Sequence, residues 1–337
     1  MEFSSEGDWA VNSESSWPLS KSVAPALQFE TELTDPTNLA RNLEWGIDDD
    51  YLAVVSYDTN TYIYDDNFEL IDTLTDATDR ARSLDWSLNG EDLVTGSEDE
   101  TIYIYPVAEL GNSPTPNTLE DADARVNALR YHPTRDLLAA TVNSPDGRVL
   151  IYDTTDYTLL TSLDSQNYAY AAQWSPSGDY LAISGDEGGD TVDQVIVYDT
   201  SATDPDNWTV TFRDSEAHGA DESISTVDWS PSGSRLVSGG QDGTTHFYDP
   251  TANFELVRIL ANADGAVRVW RLRYSPDGDR LAVATPSTTI YKTANYTIEF
   301  LQRFEDAQLA LAWSNGGDIL ATGGYDERVS VYRYSTT

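Results

Sequence analysis

Apolar and polar positions follow the same pattern seven times along this chain. Each copy is an alternating apolar strand that ends in an aromatic residue, then a polar turn, an apolar pair and a strand that ends near a tyrosine. The seven aromatic anchors are Trp45, Trp86, Tyr131, Trp174, Trp229, Tyr274 and Trp313. Their spacing centres on the repeat length of about 40–45 residues that is typical of a propeller blade. The pattern therefore predicts an all-β, seven-bladed β-propeller of four-stranded antiparallel blades.

Blade 5 shows the predicted strands a to d most clearly. We predict them at residues 224–230, 235–239, 244–248 and 254–260. Ser-Pro-Ser-Gly supplies turn chemistry between strands a and b. Strand c of blade 4, where Val195 and Val197 alternate with Ile196 and Tyr198, shows the period-2 pattern of a strand. The sequence contains no convincing amphipathic helix.

The seventh blade has candidates for only three strands, at residues 310–314, 318–323 and 328–334. The orphan strand at residues 26–33 precedes blade 1 and is free to act as the fourth. Placing it there closes the ring and removes exposed sheet edges. We therefore expect a propeller over residues 25–337, preceded by a polar tail at residues 1–24.

The repeats resemble the WD-repeat family of β-propellers over about residues 26–334. Three features carry this resemblance: the Trp-Ser-Pro turn after strand a, a small-residue end of strand b such as Ser238-Gly239-Gly240, and an aspartate before strand c. These aspartates are Asp58, Asp99, Asp242 and Asp326. The family's Trp-Asp pair is replaced by Tyr-Asp, and only blade 5 offers a near match to its polar tetrad, with His218, Ser238, Asp242 and Tyr248.

The resemblance implies that strand a lines a central channel and that the d–a and b–c loops share one face. The residue four positions before each anchor should ring the channel on that face. This set comprises Arg41, Arg82, Asn127, Tyr170, Ser225, Trp270 and Leu309. Arginine and aromatic residues dominate interface hot spots, so we expect Arg41, Arg82, Tyr170, Trp270 and Leu309 to bind an acidic or aromatic peptide, or an acidic glycan. Alternatively, the arginines simply pair with local acids such as Glu44, Asp79 or Asp85.

Charge changes this picture more than any other property of the chain. The formal net charge is −39 and the sequence pI is about 4.1. Such a charge repels itself in dilute buffer and is tolerated in multimolar salt, where the screening length is about 3 Å. The composition resembles that of salt-adapted archaeal proteins, and we expect a haloarchaeal or halovirus origin. It offers no basic stripe for nucleic acid.

Composition excludes several kinds of site. The chain has no cysteine, so thiolate chemistry is excluded. Its three histidines provide few ligands for a histidine metal site. It has no apolar run long enough to span a membrane and no secretory signal, and we expect no cofactor. Two locations fit the sequence: the cytoplasm of a high-salt cell, and an extracellular or virion assembly.

Two further segments carry candidate residues. The long b–c loop of blade 4 contains Asp186, Glu187, Asp190 and Asp193, whose carboxylates are calcium-type ligands, but a solvated acidic loop is the preferred interpretation and we expect no metal site. The N-terminal tail contains Trp9 and Trp17, which we expect to contact a partner or to pack against the chain's own blades.

These observations favour a non-enzymatic protein–protein interaction or assembly module. A surface-exposed adhesion or receptor-binding propeller that recognises acidic glycoprotein, including a virion component, is one alternative. A propeller hydrolase with carboxylates in the channel is another. The sequence contains no G-x-S-x-G elbow, H-E-x-x-H helix or phosphate-binding glycine-rich loop.

Overall fold

The computed structural model describes residues 27–144, 147–165, 168–186, 194–214, 218, 223–262, 265, 268–304 and 306–334, with the backbone alone at residues 186 and 194. The described chain forms seven four-stranded sheets in which consecutive strands pair antiparallel. This confirms the predicted all-β seven-bladed propeller.

Strands are numbered in chain order, and each blade takes four of them. Blade 1 contains β2 (Ala40–Trp45), β3 (Tyr51–Ser56), β4 (Thr61–Asp65) and β5 (Leu70–Leu74). Blade 2 contains β6 (Ala81–Trp86), β7 (Asp92–Ser97), β8 (Ile102–Pro106) and β9 (Asn117–Leu119). Blade 3 contains β10 (Val126–Tyr131), β11 (Leu137–Val142), β12 (Arg148–Asp153) and β13 (Thr158–Asp164). Blade 4 contains β14 (Tyr168–Trp174), β15 (Tyr180–Asp186), β16 (Gln194–Asp199) and β17 (Thr209–Asp214).

The remaining blades follow the same order, except for the last strand of the ring. Blade 5 contains β18 (Ile224–Trp229), β19 (Leu236–Gly240), β20 (Thr244–Asp249) and β21 (Glu255–Ala261). Blade 6 contains β22 (Arg271–Tyr274), β23 (Arg280–Ala284), β24 (Ser287–Lys292) and β25 (Ile298–Arg303). Blade 7 contains β26 (Gln308–Trp313), β27 (Ile319–Gly324), β28 (Val329–Tyr334) and β1 (Leu27–Leu33).

The N-terminal strand β1 completes blade 7, as the sequence predicts. It pairs antiparallel with β28, from Leu27 opposite Tyr334 to Leu33 opposite Val329, with a register shift between Phe29 and Thr31. Leu33 is buried in the core shared by blades 7 and 1. The two ends of the described chain are thus held in one sheet.

Short 3₁₀ turns are the only helices in the described residues, at Val107–Glu109, Pro205–Asn207 and Pro250–Ala252. None of the described helices has the length and apolarity needed to cross a membrane. The predicted strands of blade 5 are right in kind, and their ends differ from the observed ones by at most one residue.

The apolar core lies between neighbouring blades. The strand-a anchors Trp45, Trp86 and Trp174 each pack into a cluster of buried residues drawn from two adjacent sheets. The first strand of each blade is innermost and contacts the first strands of its neighbours. The seven inner strands therefore surround the central axis.

Candidate interaction surface and central channel

The ring has two faces, and the loops define them. The d–a face carries the loops that join each fourth strand to the next blade, together with the loops between second and third strands. The a–b face carries the other turns. Near the d–a face, the inner strand of every blade except blade 6 has a register shift between the fifth and third residues before its anchor. A bulge of this kind re-aims the extra side chain.

Arg41 is the bulged residue of blade 1. Ala40 pairs with Ser56 and Asn42 with Val55, so Arg41 has no partner opposite it in β3. The Tyr57 side chain lies near its half-buried guanidinium. Burial lowers the pKa of Arg41, and the positive charge of nearby Arg82 lowers it further, while Tyr57 opposes both effects.

Two aromatic side chains lie near this arginine. Tyr57 follows strand β3 directly, and the guanidinium carbon of Arg82 lies 5.4 Å from its ring centroid. Tyr325 follows strand β27 directly, is 50% exposed and lies near Arg41. The ring centroids of Tyr325 and Trp270 are 6.4 Å apart in an edge-on contact. We call Arg41, Tyr57, Arg82, Trp270 and Tyr325 the mouth cluster.

A fourth cation adjoins the mouth cluster at blade 6. The guanidinium carbon of Arg268 lies 3.9 Å from the Trp270 ring centroid, within the range of a cation–π contact. The Arg268 Nε donates to the Ser225 hydroxyl at 3.2 Å. Cation and aromatic groups thus continue from blade 6 through blades 7 and 1 to blade 2.

Arg82 behaves as the local-pairing alternative expects, but with a different acid. It is 9% exposed and forms a close ion pair with Glu98 of the following b–c loop. Arg80 lies 3.8 Å from the other Glu98 oxygen. Glu44, Asp79 and Asp85 were the expected partners, and the ion pairs of the described chain do not join Arg82 to them. The bulge explains the difference, because it points Arg82 toward the loop that carries Glu98.

Not every predicted mouth residue is available at the surface. Leu309 is 4% exposed and packs in the interior. Tyr170 is half-buried in blade 4, on the opposite side of the ring from blades 7 and 1. The structure brings together Arg41, Arg82 and Trp270 in one region, as the register predicts.

Several predicted candidates lie outside the described residues. Trp9 and Trp17 belong to residues 1–26. Glu187, Asp190 and Asp193 fall within residues 187–193, and only the backbone of Asp186 is described. The proposed tail contact and the proposed calcium loop therefore stay as predictions.

Sequence reasoning missed Tyr57 and Tyr325, although a signal for them exists. Each is the first residue after the small-residue end of strand b, and its N–H donates to the residue six positions before the anchor: Tyr57 to Leu39 at 3.0 Å and Tyr325 to Ala307 at 3.1 Å. Blade 2 has Glu98 in the same place, donating to Arg80 at 2.9 Å. Aligning this position as well as strand a would have identified both tyrosines.

The opposite half of the channel is filled by an ion cluster that the sequence analysis did not predict. One Glu44 carboxylate oxygen lies 2.9 Å from Arg130, 2.9 Å from Arg273 and 3.7 Å from Arg271. The side chains of these three arginines are at most 10% exposed. Blades 1, 3 and 6 are thus joined across the axis.

Two more carboxylates adjoin this channel cluster. Burial raises the pKa of Asp85 to about 6, with Arg130 lowering it and Glu44 raising it. Burial also raises the pKa of Asp228, although Arg273 opposes the rise. Arg273, Arg130 and Arg271 together outweigh burial and lower the pKa of Glu44.

The channel carboxylates bear on the hydrolase alternative. Asp85 accepts from the Tyr131 N–H at 2.6 Å, and Asp228 accepts from the Tyr274 N–H at 2.8 Å. They open onto a cavity of about 350 Å³ on the a–b face. Each carboxylate therefore has a structural partner, and their presence is explained by holding neighbouring blades together.

The anchors make a repeated hydrogen bond between blades. In blades 2, 4, 5 and 7 the indole N–H of the anchor donates to the backbone oxygen of the residue before the preceding blade's anchor. The pairs are Trp86 to Glu44, Trp174 to Arg130, Trp229 to Gln173 and Trp313 to Arg273, at 3.0 to 3.3 Å. Blades 3 and 6 have tyrosine anchors, and there an aspartate of the preceding blade accepts from the anchor's backbone N–H instead.

Blade 5 contains the predicted polar network around His218. The two imidazole nitrogens lie 2.8 Å from Asp242 and 2.8 Å from Ser238. The hydrogen bonds from His218 and Thr244 outweigh burial and lower the pKa of Asp242 to about 2. Tyr248 donates to Asp214 at 3.1 Å.

The same blade presents a group with the side chains of a metal site, formed by His218, Asp242 and His246. Their ligand atoms lie within 4.8 Å of one another. However, the two imidazole rings stack with centroids 3.8 Å apart and planes 19° apart. Nitrogen lone pairs lie in the ring planes, so two nearly parallel rings do not point at one ion. The group fits a hydrogen-bonded brace better than a metal site.

Comparison with known proteins agrees with this architecture. The model of the WD domain, G-beta repeat, matches residues 68–105, 115–153, 210–249 and 299–333. Four segments of the chain thus match the WD40 repeat. Each matched segment begins near the fourth strand of one blade and ends in the third strand of the next, so the WD40 sequence repeat is offset from the blade. Because of the same offset, β1, which precedes blade 1 in the sequence, serves as the fourth strand of blade 7.

Three curated proteins illustrate the relationship of these WD40 repeats to other proteins. Periodic tryptophan protein 2 of Saccharomyces cerevisiae is 29% identical over 132 residues, which are 39% of this chain and 13% of the relative. Its Caenorhabditis elegans homolog is 24% identical over 215 residues, 62% of this chain and 22% of the relative. The guanine nucleotide-binding protein subunit beta of Nicotiana tabacum is 23% identical over 241 residues, 69% of this chain and 63% of the relative. The chain thus spans less than two thirds of the length of each.

Proposed function

We propose that this chain is a non-enzymatic protein-interaction module that binds its partner through the mouth cluster on the d–a face. The observation that carries the proposal is that Arg41 lies near Tyr57 and Tyr325, with Trp270 beside Tyr325. Arginine and large aromatic residues are the side chains that most often anchor protein interfaces. The WD40 repeats support the same role, since one relative is named as a subunit of a larger protein.

Rigidity supports the role of this surface. The backbones of Tyr57 and Tyr325 are fixed by hydrogen bonds to the preceding loop. The backbone N–H of Trp270 donates to the Ala284 carbonyl oxygen at 2.9 Å. Side chains held in place before binding lose less conformational entropy when a partner arrives. The channel cluster below them keeps the inner strands together. A fixed, shallow aromatic surface with central cations is what the geometry offers a partner.

The experiment compares partner capture by variants of the two faces. Tyr57→Ser combined with Tyr325→Ser alters the d–a face, and Ile47→Ser combined with Leu88→Ser is the matched control. Ile47 and Leu88 are 40% and 56% exposed and line the cavity of the a–b face. Capture is measured by quantitative mass spectrometry of cross-linked complexes in multimolar KCl.

We expect the d–a variant to lose specific partners that the a–b variant retains. Loss only with the a–b variant would move the interaction to the other face. Identical capture by both variants and the unmodified chain would contradict the proposal. If captured material is acidic glycoprotein that binds through its glycan, the adhesion alternative replaces the protein-interaction module.

We further propose that the chain works in high salt. The formal net charge of −39 supports this, because repulsion between exposed carboxylates weakens when salt shortens the screening length. Unfolding free energy should rise from dilute buffer to multimolar KCl. A stability that is flat or falling over that range would argue against a salt-adapted chain and against a haloarchaeal or halovirus origin.

A further inference from the structure

Arg41 differs from the other arginines of the channel in its electrostatic surroundings. Within the described part of the chain, no carboxylate oxygen lies within the 4.0 Å that defines an ion pair with its guanidinium. Arg82, one blade away, pairs with Glu98. Arg130 and Arg273 pair with Glu44. A half-buried cation without a counter-charge is unexpected in a chain with 58 acidic and 19 basic residues.

The groups around Arg41 leave its charge uncompensated. The groups that act on its charge include the Tyr57 hydroxyl, the Tyr325 side chain and the positively charged Arg82. Arg271 adds a further positive charge nearby. The two tyrosines supply polar and aromatic contacts but no negative charge. Arg41 and Arg82, of which only Arg82 has an acid partner among the described residues, repel each other. An anion placed beside Arg41 would relieve that repulsion and satisfy the guanidinium.

The shape of the site selects among anions. Guanidinium groups bind carboxylates through two parallel hydrogen bonds. The exposed Tyr325 ring, in edge-on contact with Trp270, provides an apolar surface beside the cation. A carboxylate next to an apolar or aromatic side chain is available in an acidic peptide segment, whereas a sugar acid offers only the C–H face of a hydroxylated ring.

We propose that Arg41 binds an aspartate or glutamate carboxylate of a peptide segment, with the neighbouring residue of that segment packed on Tyr325 and Trp270. This inference rests on the proposed function and adds the chemistry of the partner. Glu98 compensates the charge of Arg82, so Arg41 supplies the free positive charge, with Tyr57 beside its guanidinium. Long-range charge repulsion from the acidic body is screened within about 10 Å at moderate salt and about 3 Å in multimolar salt, so contact chemistry decides binding.

The test uses capped synthetic peptides, since no partner is needed to probe the site. The first peptide has glutamate on both sides of a tryptophan, and the second has glutamine in the same places. Glucuronic acid is the third probe and represents acidic glycans. Binding to the full chain is measured by isothermal titration calorimetry in multimolar KCl. The variants are Arg41→Gln and Arg41→Lys, and Arg303→Gln, an exposed arginine on the outer strand of blade 6, is the control.

The glutamate peptide should bind the unmodified chain and the Arg303→Gln variant equally. Arg41→Gln should weaken that binding at least tenfold, which corresponds to about 1.4 kcal/mol. Arg41→Lys should give an intermediate loss, because lysine keeps the charge but not the paired hydrogen bonds. The glutamine peptide should bind the unmodified chain as weakly as the glutamate peptide binds Arg41→Gln.

Several outcomes would overturn the inference. Equal affinity for the two peptides, no measurable binding of either, or an unchanged affinity in Arg41→Gln would each do so. Glucuronic acid binding as tightly as the glutamate peptide would assign the site to acidic glycans instead. Partner capture that depends on Tyr57 and Tyr325 but not on Arg41 would remove this inference and leave the proposed function in place.

Discussion

The indole N–H of Trp86 donates to the backbone oxygen of Glu44 at 3.2 Å, across the boundary between blades 2 and 1. The Glu44 carboxylate also forms ion pairs with three arginines at the channel axis. One residue therefore links the contact between neighbouring blades to the contact across the ring. The anchor tryptophan contributes this hydrogen bond as well as its apolar area.

Replacing Trp86 by phenylalanine should cost more stability than the same change at Trp45. Both tryptophans are 7% exposed, so the loss of packing should be similar. The Trp45 indole N–H has no acceptor among the described residues, whereas Trp86 loses its hydrogen bond to Glu44. The difference in unfolding free energy should be about 1 kcal/mol. Urea denaturation of the two variants measures it, and equal losses would show that the hydrogen bond contributes nothing.

Asp85→Asn should change how stability depends on pH. The pKa of Asp85 is raised to about 6 in the folded protein, so its stabilising contribution is present below the unfolded value of about 4 and is lost as pH rises through about 6. The variant has no ionisable group at this position, so it does not lose that stability as pH rises. Relative to the unmodified chain, it should gain up to about 3 kcal/mol between about pH 4 and pH 7.

Denaturant titrations across that pH range provide the measurement. Asp48→Asn is the control, because Asp48 is exposed on the a–b face. A pH profile of Asp85→Asn that runs parallel to that of the unmodified chain would contradict the prediction.

Asp242 and Asp326 occupy the same place before strand c, yet their substitution should have opposite effects. His218 and Thr244 hold the pKa of Asp242 at about 2, so its contribution is present above about pH 4 and disappears as pH falls toward 2. Asp242→Asn should therefore lower the unfolding free energy by about 2 kcal/mol near pH 7 and by little near pH 2.

Asp326 lacks the histidine, and burial raises its pKa despite a hydrogen bond from Gln308. Asp326→Asn should leave stability near neutral pH unchanged or raise it. Thermal melts of both variants at neutral and acidic pH test the contrast. A similar neutral-pH destabilisation in the two variants would mean that the histidine network does not set the difference.

Removing β1 should open the ring. A chain that begins at residue 34 lacks the strand that pairs with β28 and the buried Leu33, so it exposes a sheet edge. We expect broad unfolding and self-association in analytical ultracentrifugation. A chain that begins at residue 25 keeps the strand and serves as the control. Cooperative unfolding of a monomeric chain without β1 would disprove the closure role.

The fold could be predicted from the sequence because every blade repeats the same pattern of strands and turns. Closure by β1 followed from counting strands in blade 7. The channel cluster could not be predicted in this way, since Glu44, Arg130 and Arg273 lie in different repeats and meet only at the axis. Asp85 and Asp228 look like ordinary surface acids in so acidic a sequence, and only the structure shows that each accepts the backbone N–H of the next blade's tyrosine anchor.

Part of the mouth cluster could be predicted from the sequence. The strand-a register gave Arg41, Arg82 and Trp270, because the position four residues before the anchor faces the same end of the channel in these blades. It placed Leu309 in the same set although that side chain is buried. It omitted Tyr57 and Tyr325, which enter from the b–c loops and depend on contacts between blades. Register along one strand predicts which residues share a level of the channel, but not which neighbouring loop covers them.

The channel cluster also makes the centre of the ring insensitive to ionic strength. Glu44 and its three arginines are largely removed from solvent, and mobile ions screen such pairs far less than exposed ones. Diluting the salt should therefore loosen the acidic periphery while the axis stays joined. Loss of structure in dilute buffer should then begin at the outer strands and proceed inward.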